Sequence, residues 1–533
     1  MKQRSLTHYQ VAQPLLLAVI LAIGMFFGFK LAERSGRTAG DFSKRGSGTV
    51  QEVLDLVKYR YVDSVDLDSL EEFAISNILE QLDPHTYYIP PSSLAATNAT
   101  LQGEFIGIGI EYLIVNDTLN VVYVMENGPS ANAGLHTGDQ IIRIGNDDLT
   151  GKNLESDQLS KLIRNKPGTV ADLHILRNGK PLQVAVTRNL VSVPSVDIRQ
   201  MPAPGIGYIH IARFTNRTYK EFMDAITGLQ KEGMKGLILD LRGNPGGMMQ
   251  EATYIADEFL EDGLLIVSTR GKSITNKETF ATKPGVFEQG ELVVIIDEFS
   301  ASASEVLAGA LQDNDRGVVI GERSFGKGLV QEQYDLSNGG ALRLTVGRYY
   351  TPTGRSIQKP FGGSRVEYVH EIMLRNVPDS AWDGDSSKTY TTRKGKKLFG
   401  GGGITPDIVI NPRQISPDLP LTLMPDADSI YKYSFLWYSE HVDEIRKFSH
   451  AADFLRNYEI PIGAWDASTF KFSQGDTSMK KLDSLQKRIV IHRVKANIAR
   501  FNWRGDGFFE ANRNLDSAFQ KALFLIENPN PAK

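Results

Sequence analysis

Glycine, lysine and acidic residues in the middle of the chain have the spacing of a nucleotide-binding site. The stretch from Gly321 to Lys327 matches the first part of a P-loop, in which backbone amides and a lysine hold phosphate groups. Upstream, the apolar run from Val293 to Ile296 ends at Asp297 and Glu298, as a strand that carries a magnesium-binding acid would. Together these features would indicate hydrolysis of a nucleoside triphosphate.

Two features of the residues that follow argue against that chemistry. The residue after Lys327 is Gly328, so the hydroxyl group that should bind magnesium is missing. The residues from Leu329 to Tyr334 lack a helical pattern, so the phosphate would lack the amides of a helix N-terminus. We therefore discard the nucleotide site.

The composition excludes several other kinds of site. The chain has 533 residues, with 59 Lys+Arg against 63 Asp+Glu, and this balance gives no general basic surface for nucleic acid. The absence of cysteine excludes thiol nucleophiles and cysteine zinc sites, so covalent catalysis must use oxygen or nitrogen. None of the nine histidines lies in a catalytic motif, and His370-Glu371 lacks the second histidine of a zincin. We expect no metal and no cofactor.

Three stretches resemble the C-terminal processing peptidases, the tail-specific serine proteases that use a Ser/Lys dyad: Ser300–Glu305, Gly309–Asp313 and Ser324–Gln331. The resemblance implies a nucleophile at Ser302, a general base at Lys327 and an orienting glutamine at Gln331. It also implies an oxyanion hole made by the amide of Ala303 and one glycine amide of the Gly-Asn-Pro-Gly-Gly turn. Gly246 and Gly247 remain alternatives for that glycine.

The resemblance covers roughly residues 50 to 415 and implies an architecture as well. The family places a PDZ domain ahead of a catalytic core that resembles the crotonase-like fold. Three weaker stretches also match: Leu82–His85, Tyr349–Gly354 and Gly403–Asp407.

The chemistry of such a dyad depends on a neutral lysine. A lysine near its reference pKa of about 10.4 is protonated and cannot accept a proton, but burial lowers that pKa. Phe325 and Val330 supply apolar surface beside Lys327, and Gln331 would direct the amine without adding charge. The amide of Ala303 would lie near a helix N-terminus, which stabilises developing negative charge.

Each of these residues also has an interpretation that involves no catalysis. Ser302 and Glu305 fit a helix capping box, Lys327 fits an exposed loop lysine, and Gln331 fits a strand residue that faces solvent. His85 follows a predicted helix in Asp-Pro-His, where capping of the loop is favoured over a role as metal ligand or base. The combination of the three positions with a glycine turn favours the dyad.

Residues 102–190 have the pattern of a small β-rich module. Its glycine-rich opening, Gly107-Ile108-Gly109-Ile110, precedes Gly128–Ala131 and Gly138–Ile144 in the order of a PDZ domain. Glycines let backbone amides turn towards a peptide carboxylate, and the next strand can pair with the peptide. We therefore predict that Gly107 to Ile110 bind the free C-terminus of a peptide.

The elements that must position these residues predict an α/β multidomain protein. We divide it into a signal anchor (1–35), an N-terminal helical region (36–101), a PDZ domain (102–190), a serine protease core (191–415) and a helical C-terminal extension (416–533). In the core, buried strands alternate with helices, and polar residues follow the strand ends. Beyond about residue 416 the family resemblance fades, and three helices are predicted: Ile430–Phe448, Met479–Arg500 and Leu515–Ile526.

The N-terminus indicates a membrane anchor. Lys2 and Arg4 precede an unbroken apolar run from Leu15 to Phe29, and Lys30 follows it. The run is longer than many signal-peptide cores, and no small-x-small cleavage pattern follows closely. We predict an uncleaved signal anchor that leaves the catalytic part in the periplasm or outside, in a bacterial-type envelope.

Two hypotheses from different classes follow. The first is a membrane-anchored serine endopeptidase that cleaves envelope proteins near their C-termini, with substrate tails captured by the PDZ domain. The second is a catalytically idle PDZ scaffold that binds peptides. In either case the expected partners are peptides with free C-termini, and a homo-oligomer or an adaptor protein is also compatible with the sequence.

Overall fold

The computed structural model describes residues 48–115, 117–151, 156–374, 389–410, 426–461 and 482–529. The predicted anchor, residues 1–35, lies outside these ranges and stays a prediction. Among the helices that are described, none is both long and apolar enough to cross a membrane. The described chain forms two compact units, which divide between Leu79 and Glu80.

The first unit contains two helices, as the apolar spacing of this region predicts. Helix α1 spans Thr49–Arg60, and α2 spans Leu67–Glu80. Glu52 lies in the first turn of α1, and Lys58 and Arg60 lie in its last turn. These charges oppose the helix dipole and stabilise both ends.

The second unit begins with a short strand and a helix and continues into the PDZ-like module. The elements in chain order are β1 (Tyr87–Ile89), α3 (Pro91–Leu101), β2 (Glu104–Gly107), β3 (Ile110–Val115), β4 (Thr118–Val124), α4 (Pro129–Asn132), β5 (Gln140–Ile144), β6 (Asp147–Asp148), α5 (Ser156–Ile163), β7 (Val170–Arg177), β8 (Lys180–Thr187) and β9 (Asn189–Ser192). The main sheet has the order β3-β4-β5-β7-β8, with β6 paired to β5, and β2 pairs with β9. Strand β3 therefore forms an edge of this sheet in the part of the chain that is described.

The α/β core follows, with two sheets. Its elements are β10 (Val196–Ala203), β11 (Ile206–Ile211), α6 (Thr218–Lys231), β12 (Gly236–Asp240), α7 (Met249–Asp257), β13 (Leu265–Arg270), β14 (Lys277–Phe280), β15 (Glu291–Ile296), α8 (Ala303–Asp313), β16 (Val318–Gly321), β17 (Leu329–Asp335), β18 (Ala341–Tyr350), α9 (Arg365–Leu374), β19 (Thr389–Thr391), β20 (Lys397–Phe399) and β21 (Ile408–Val409). One sheet has the order β10-β11-β12-β15-β16-β21, and every pair after β10–β11 is parallel. The other has the order β1-β18-β13-β14, with β17 beside β18.

The parallel sheet is covered on both faces, which explains the continuous apolar runs of its strands. Alternate residues face opposite sides of a strand. Leu237, Leu239 and Val294 pack in the core with α6, α7 and α8, whereas Ile238 and Ile295 pack against the C-terminal residues around Phe519. The C-terminal extension therefore completes the apolar core around this sheet.

The extension contains four described helices: α10 (Ala427–Ile445), α11 (Ala451–Asn457), α12 (Ser484–Asn512) and α13 (Ser517–Glu527). The three predicted helices correspond to α10, α12 and α13, with shifted ends. Helices α10, α11 and α12 share an apolar cluster that also includes Val115 and Val122 of the PDZ sheet. The extension thus packs on both the PDZ-like module and the protease core.

A buried ion pair fixes the end of helix α8. Arg355 is fully buried, and it donates to Asp313 at 2.7 Å, to Gln312 at 2.6 Å and to the Phe399 carbonyl at 3.1 Å. Removing one partner of a buried pair leaves the other charge uncompensated. The carboxylate of Asp313 therefore stabilises the fold chiefly by compensating Arg355.

We predict that Asp313→Ala lowers the free energy of unfolding by about 3–5 kcal/mol, because it leaves the Arg355 guanidinium buried without its counter-charge. Urea denaturation measures the change. The matched control is Asp224→Ala, which breaks the exposed Lys220–Asp224 pair and should cost no more than about 1 kcal/mol. Equal losses for the two variants would contradict the role assigned to the buried pair.

Candidate active site

Three loops meet at one edge of the parallel sheet. Strands β12, β15 and β16 are parallel neighbours, so their carboxyl ends lie side by side. The glycine turn follows β12, the Ser302 segment follows β15, and the Lys327 segment follows β16. Residues far apart in sequence are therefore brought together by strand order, as in other open α/β sheets.

Ser302 lies immediately before helix α8 in a strained backbone conformation. Its φ is +55° and its ψ is −111°, values that a residue with a side chain seldom adopts. Such strain persists only where the surroundings hold it, and it is concentrated at functional sites. The side chain is partly buried and borders a cavity of about 530 Å³.

The glycine turn packs directly against the Ser302 segment. A Cβ atom on Gly246 would lie 2.5 Å from the Ala301 carbonyl oxygen and 2.7 Å from Ser302 Cβ, so no side chain fits there. A Cβ atom on Gly247, whose φ is +139°, would lie 1.9 Å from the Phe214 carbonyl oxygen. Both positions require glycine for the close approach of two backbones.

The two glycine amides differ in their hydrogen bonds. The amide of Gly246 donates to Asn244 Oδ1 at 2.8 Å, and Asn244 Nδ2 donates to the Ile211 carbonyl at 2.8 Å. Among the hydrogen bonds of the described residues, none uses the amide of Gly247 or of Ala303. Both of these residues line the cavity beside Ser302.

Lys327 lines the same cavity as Ser302 and Gln331. Burial lowers the pKa of Lys327 below its usual value, and the positive charge of Arg343 lowers it further. The carboxylates of Glu305 and Asp83 act in the opposite direction. The surroundings of Lys327 therefore favour the neutral amine more than the surroundings of an exposed loop lysine do.

Gln331 lies on β17 and is oriented by the main chain of His85. Its Nε2 group donates to the His85 carbonyl oxygen. The ring of His85 contacts the Tyr368 hydroxyl at 3.1 Å, and burial, together with the charge of Lys327, lowers the pKa of His85 to about 4. The loop is capped by Asp83, which accepts from the His85 amide at 2.9 Å, so the predicted capping function belongs to Asp83.

Glu305 connects the Ser302 segment with the Lys327 segment, and the sequence indicated only part of this arrangement. The fully buried carboxylate accepts from the amides of Ser302 (2.9 Å), Gly326 (2.7 Å) and Lys327 (2.8 Å), and from the Ser324 hydroxyl (2.5 Å). Burial raises the pKa of Glu305, and these four hydrogen bonds oppose the rise. The capping pattern correctly predicted the first contact, but the other three come from a loop that no local pattern could identify.

Tyr349 forms a second connection between the same segments. Its hydroxyl contacts the carbonyl oxygens of Ser302, at 2.9 Å, and Lys327. Sequence reasoning included Tyr349 only as part of a family-like stretch. Tyr349 is buried, and this becomes apparent only when the pairing of β18 with β17 is known.

The glycine-rich opening of the PDZ-like module forms a tight turn between β2 and β3. Gly109 has a φ of +76°, and a Cβ atom there would lie 3.2 Å from Pro129 Cδ. The carbonyl of Ile108 accepts from the Ser130 amide at 3.0 Å, and that of Gly109 accepts from the Met125 amide at 3.0 Å. Ile108 and Ile110 are buried, and so are Gly107 and Gly109, so the turn is tightly packed.

Comparison with known proteins matches two parts of the chain to domain families and the chain to curated relatives. Residues 205–367 match the model of peptidase family S41, and residues 106–187 match that of the PDZ domain. The chain is 39% identical over 314 residues to a carboxy-terminal-processing protease of Bartonella bacilliformis, which covers 58% of this chain and 71% of that protein. It is 34% identical over 294 residues to a carboxyl-terminal-processing protease of Synechocystis, covering 54% of this chain and 68% of the relative.

A solved structure titled photosystem II D1 C-terminal processing protease is also similar. It has 26% sequence identity and a TM-score of 0.38, and the match covers 70% of this chain and 89% of that one.

We predict that Glu305→Gln lowers peptidase turnover by about 10²-fold, since a small displacement of positioned groups has an effect of that size. In glutamine an NH2 group replaces one carboxylate oxygen and cannot accept hydrogen bonds, so two of the four donors lose their acceptor. Unfolding should also become easier by about 1–3 kcal/mol. Steady-state kinetics and denaturation measure the two effects.

The matched control is Glu221→Gln. Glu221 also lies in the first turn of a helix and accepts two backbone amides, from Ser195 at 2.6 Å and Val196 at 3.1 Å, through one oxygen that glutamine retains. This variant should keep wild-type turnover. A Glu305→Gln protein as active as this control would show that the link between the segments is unnecessary.

Proposed function

Because the chain belongs to the carboxy-terminal-processing proteases of peptidase family S41, we propose that it is a serine endopeptidase that uses Ser302 and Lys327 as a catalytic dyad. The observation that carries the proposal is the shared cavity: both side chains line it, and burial lowers the pKa of the lysine. A serine attacks an amide only when a base removes its proton, and a neutral amine can do so.

The reaction proceeds through an acyl-enzyme. The neutral Lys327 amine accepts the proton of the Ser302 hydroxyl while Oγ bonds to the scissile carbonyl carbon, and the carbonyl oxygen becomes an oxyanion. The C–N bond then breaks, and the Lys327 ammonium gives its proton to the departing amine. Lys327 then accepts a proton from water while the water oxygen bonds to the ester carbonyl carbon. The ester C–O bond breaks, and the Lys327 ammonium returns the proton to Ser302 Oγ.

The oxyanion would be bound by the amides of Ala303 and Gly247. Supporting this choice, the Gly246 amide already donates to Asn244, whereas Gly247 and Ala303 line the cavity and their amides have no hydrogen-bond partner among the described residues. Ala303 is the first residue of α8, where the helix dipole also favours negative charge. Backbone donors fixed before the reaction cost no reorganisation when the charge develops.

Gln331 would keep Lys327 in the productive orientation. Its Nε2 group is held by the His85 carbonyl, which leaves its Oε1 atom as the acceptor for the lysine amine. This arrangement supplies direction without adding a charge that would raise the pKa of Lys327. Gln331 is therefore proposed as a positioning residue and not as a base.

The PDZ domain would deliver substrates by their C-termini. The backbone of Gly107 to Ile110 would bind the terminal carboxylate, and the free edge of β3 would accept the peptide as an added strand. The N-terminal apolar segment supports a membrane-anchored protease in a bacterial-type envelope. An idle peptide-binding scaffold, the second hypothesis, would have no use for a partly buried lysine that lines the same cavity as a strained serine.

We predict that Ser302→Ala abolishes turnover of an unstructured protein with an apolar C-terminus while the fold is kept. Lys327→Arg should be equally inactive, because a guanidinium stays protonated and cannot accept the serine proton. Lys283→Arg serves as the matched control, since Lys283 is half exposed, pairs with the buried carboxylate of Glu258 and does not line the cavity that Ser302 borders. Turnover by the Ser302→Ala protein would refute the dyad.

The pH dependence tests the same base. The deprotonated amine is the active form, and its pKa is lowered in the folded enzyme, so the rate should rise with pH and level off below the pKa of a free lysine. A rate that falls as Lys327 deprotonates would mean that the lysine acts through its charge.

We predict that Gly109→Val impairs cleavage of substrates with a free apolar tail and spares short peptides that reach the dyad directly. Valine is strained at a φ of +76° and closes the carboxylate turn. Amidation of the substrate C-terminus should cause the same loss with the wild-type enzyme. Equal cleavage of free and amidated tails by both proteins would show that the module does not recognise C-termini.

A further inference from the structure

The C-terminal extension contacts the segment that leads into the glycine turn. Asp516 caps helix α13 by accepting from the amides of Ala518 (3.1 Å) and Phe519 (3.0 Å). Its carboxylate also accepts two hydrogen bonds from Arg242, at 3.1 Å and 2.7 Å. A bidentate arginine–carboxylate pair of this kind fixes orientation as well as distance.

Arg242 is held from three sides at the end of strand β12. Its guanidinium also donates to the buried carboxylate of Asp240 at 2.5–3.0 Å. Its carbonyl oxygen accepts from His210 at 3.0 Å. Burial opposes protonation of His210, but the hydrogen bond with Asp197 and the charge of Asp240 raise its pKa to about 9, so the ring donates at neutral pH.

The residues after Arg242 form the turn that carries the proposed oxyanion donor. The amide of Gly243 donates to the Asp297 carboxylate at 3.0 Å, and the carbonyl of Asn244 accepts from the Ala301 amide at 3.0 Å. Arg242 therefore fixes the entrance of a turn whose other end places Gly247 at the cavity that Ser302 borders. We expect a displacement at the entrance to move the Gly247 amide.

Helix α13 is itself anchored to the sheet that carries the turn. Phe519 is fully buried and contacts the ring of Tyr208 with centroids 5.7 Å apart, and the Tyr208 hydroxyl donates to Asp240 at 2.7 Å. The packing of Phe519 therefore holds the start of α13, and with it Asp516, in place beside Arg242. The positioning of a catalytic turn requires a rigid element beside it, and the anchored helix α13 is such an element.

We propose that Asp516 is a positioning residue for the oxyanion turn, through which the C-terminal extension completes the active site by holding Arg242. The proposal rests on the proposed function, since it concerns the donor that binds the oxyanion. Residue 516 lies beyond the matched region of the protease family, residues 205–367, so this contribution comes from a part of the chain outside that region.

The test compares Asp516→Asn with Asp483→Asn in the full-length protein. Asparagine is as good a helix cap as aspartate, so Asp516→Asn keeps the start of α13 and removes the charge and one of the two acceptor oxygens that pair with Arg242. Asp483 caps α12 in the same way, through the amides of Leu485 and Gln486 at 2.8 Å, and lies apart from the turn. The readouts are kcat, KM, the rate of Ser302 labelling by a fluorophosphonate and the thermal midpoint.

Asp516→Asn should lower kcat and the labelling rate together by about 5- to 10-fold, because both reactions place an oxygen in the oxyanion hole. KM and the thermal midpoint should stay near wild type, and Asp483→Asn should change none of the four. Wild-type kcat and labelling in Asp516→Asn would overturn the proposal, and so would equal losses in both variants. The Ser302→Ala variant distinguishes a failure of this proposal from a failure of the proposed function. If that variant still turns over substrate, the proposed dyad is wrong.

Discussion

One buried carboxylate sets the geometry on which the active site depends. Glu305 accepts from the Ser302 amide on one side and from Ser324, Gly326 and Lys327 on the other. A buried carboxylate that loses its donors costs several kcal/mol, so the two segments cannot separate without a large penalty. The same contacts hold Ser302 in its strained conformation and fix the main chain of Lys327, which determines where its amine can reach. Tyr349 also connects the two segments, because its hydroxyl contacts the carbonyl oxygens of Ser302 and Lys327.

The parallel sheet explains why this carboxylate can contact both segments. Strands β15 and β16 are neighbours, so the loops that follow them start side by side. Strand β12, on the other side of β15, adds the glycine turn. The sheet is stable only because apolar residues cover both its faces, and the C-terminal extension provides one of those covers. The sheet edge that carries the candidate active site therefore depends on helix α13.

The sequence predicted the parts that are encoded locally. Apolar runs identified the strands of the core, the motif residues identified Ser302, Lys327 and Gln331, and the structure places all three at one cavity. The choice between the two glycines could not be made from sequence, because it depends on which amide Asn244 already occupies. The pair between Arg242 and Asp516 joins residues that are 274 positions apart, and neither periodicity nor composition reports such a contact. The anchor remains a prediction from composition alone.

The packing of the extension on the PDZ sheet limits how the domains can be exchanged between relatives. Val115 and Val122 belong to the apolar cluster of α10, α11 and α12, and Arg504 pairs with Glu111 of β3. One wall of that helical core is thus supplied by the peptide-binding module. A chimera with a foreign PDZ domain would lack Val115 and Val122, so the apolar surface of the helices would be exposed to solvent. Grafting of tail specificity is better confined to the turn and groove residues, with the outer face of β3 and β4 left native.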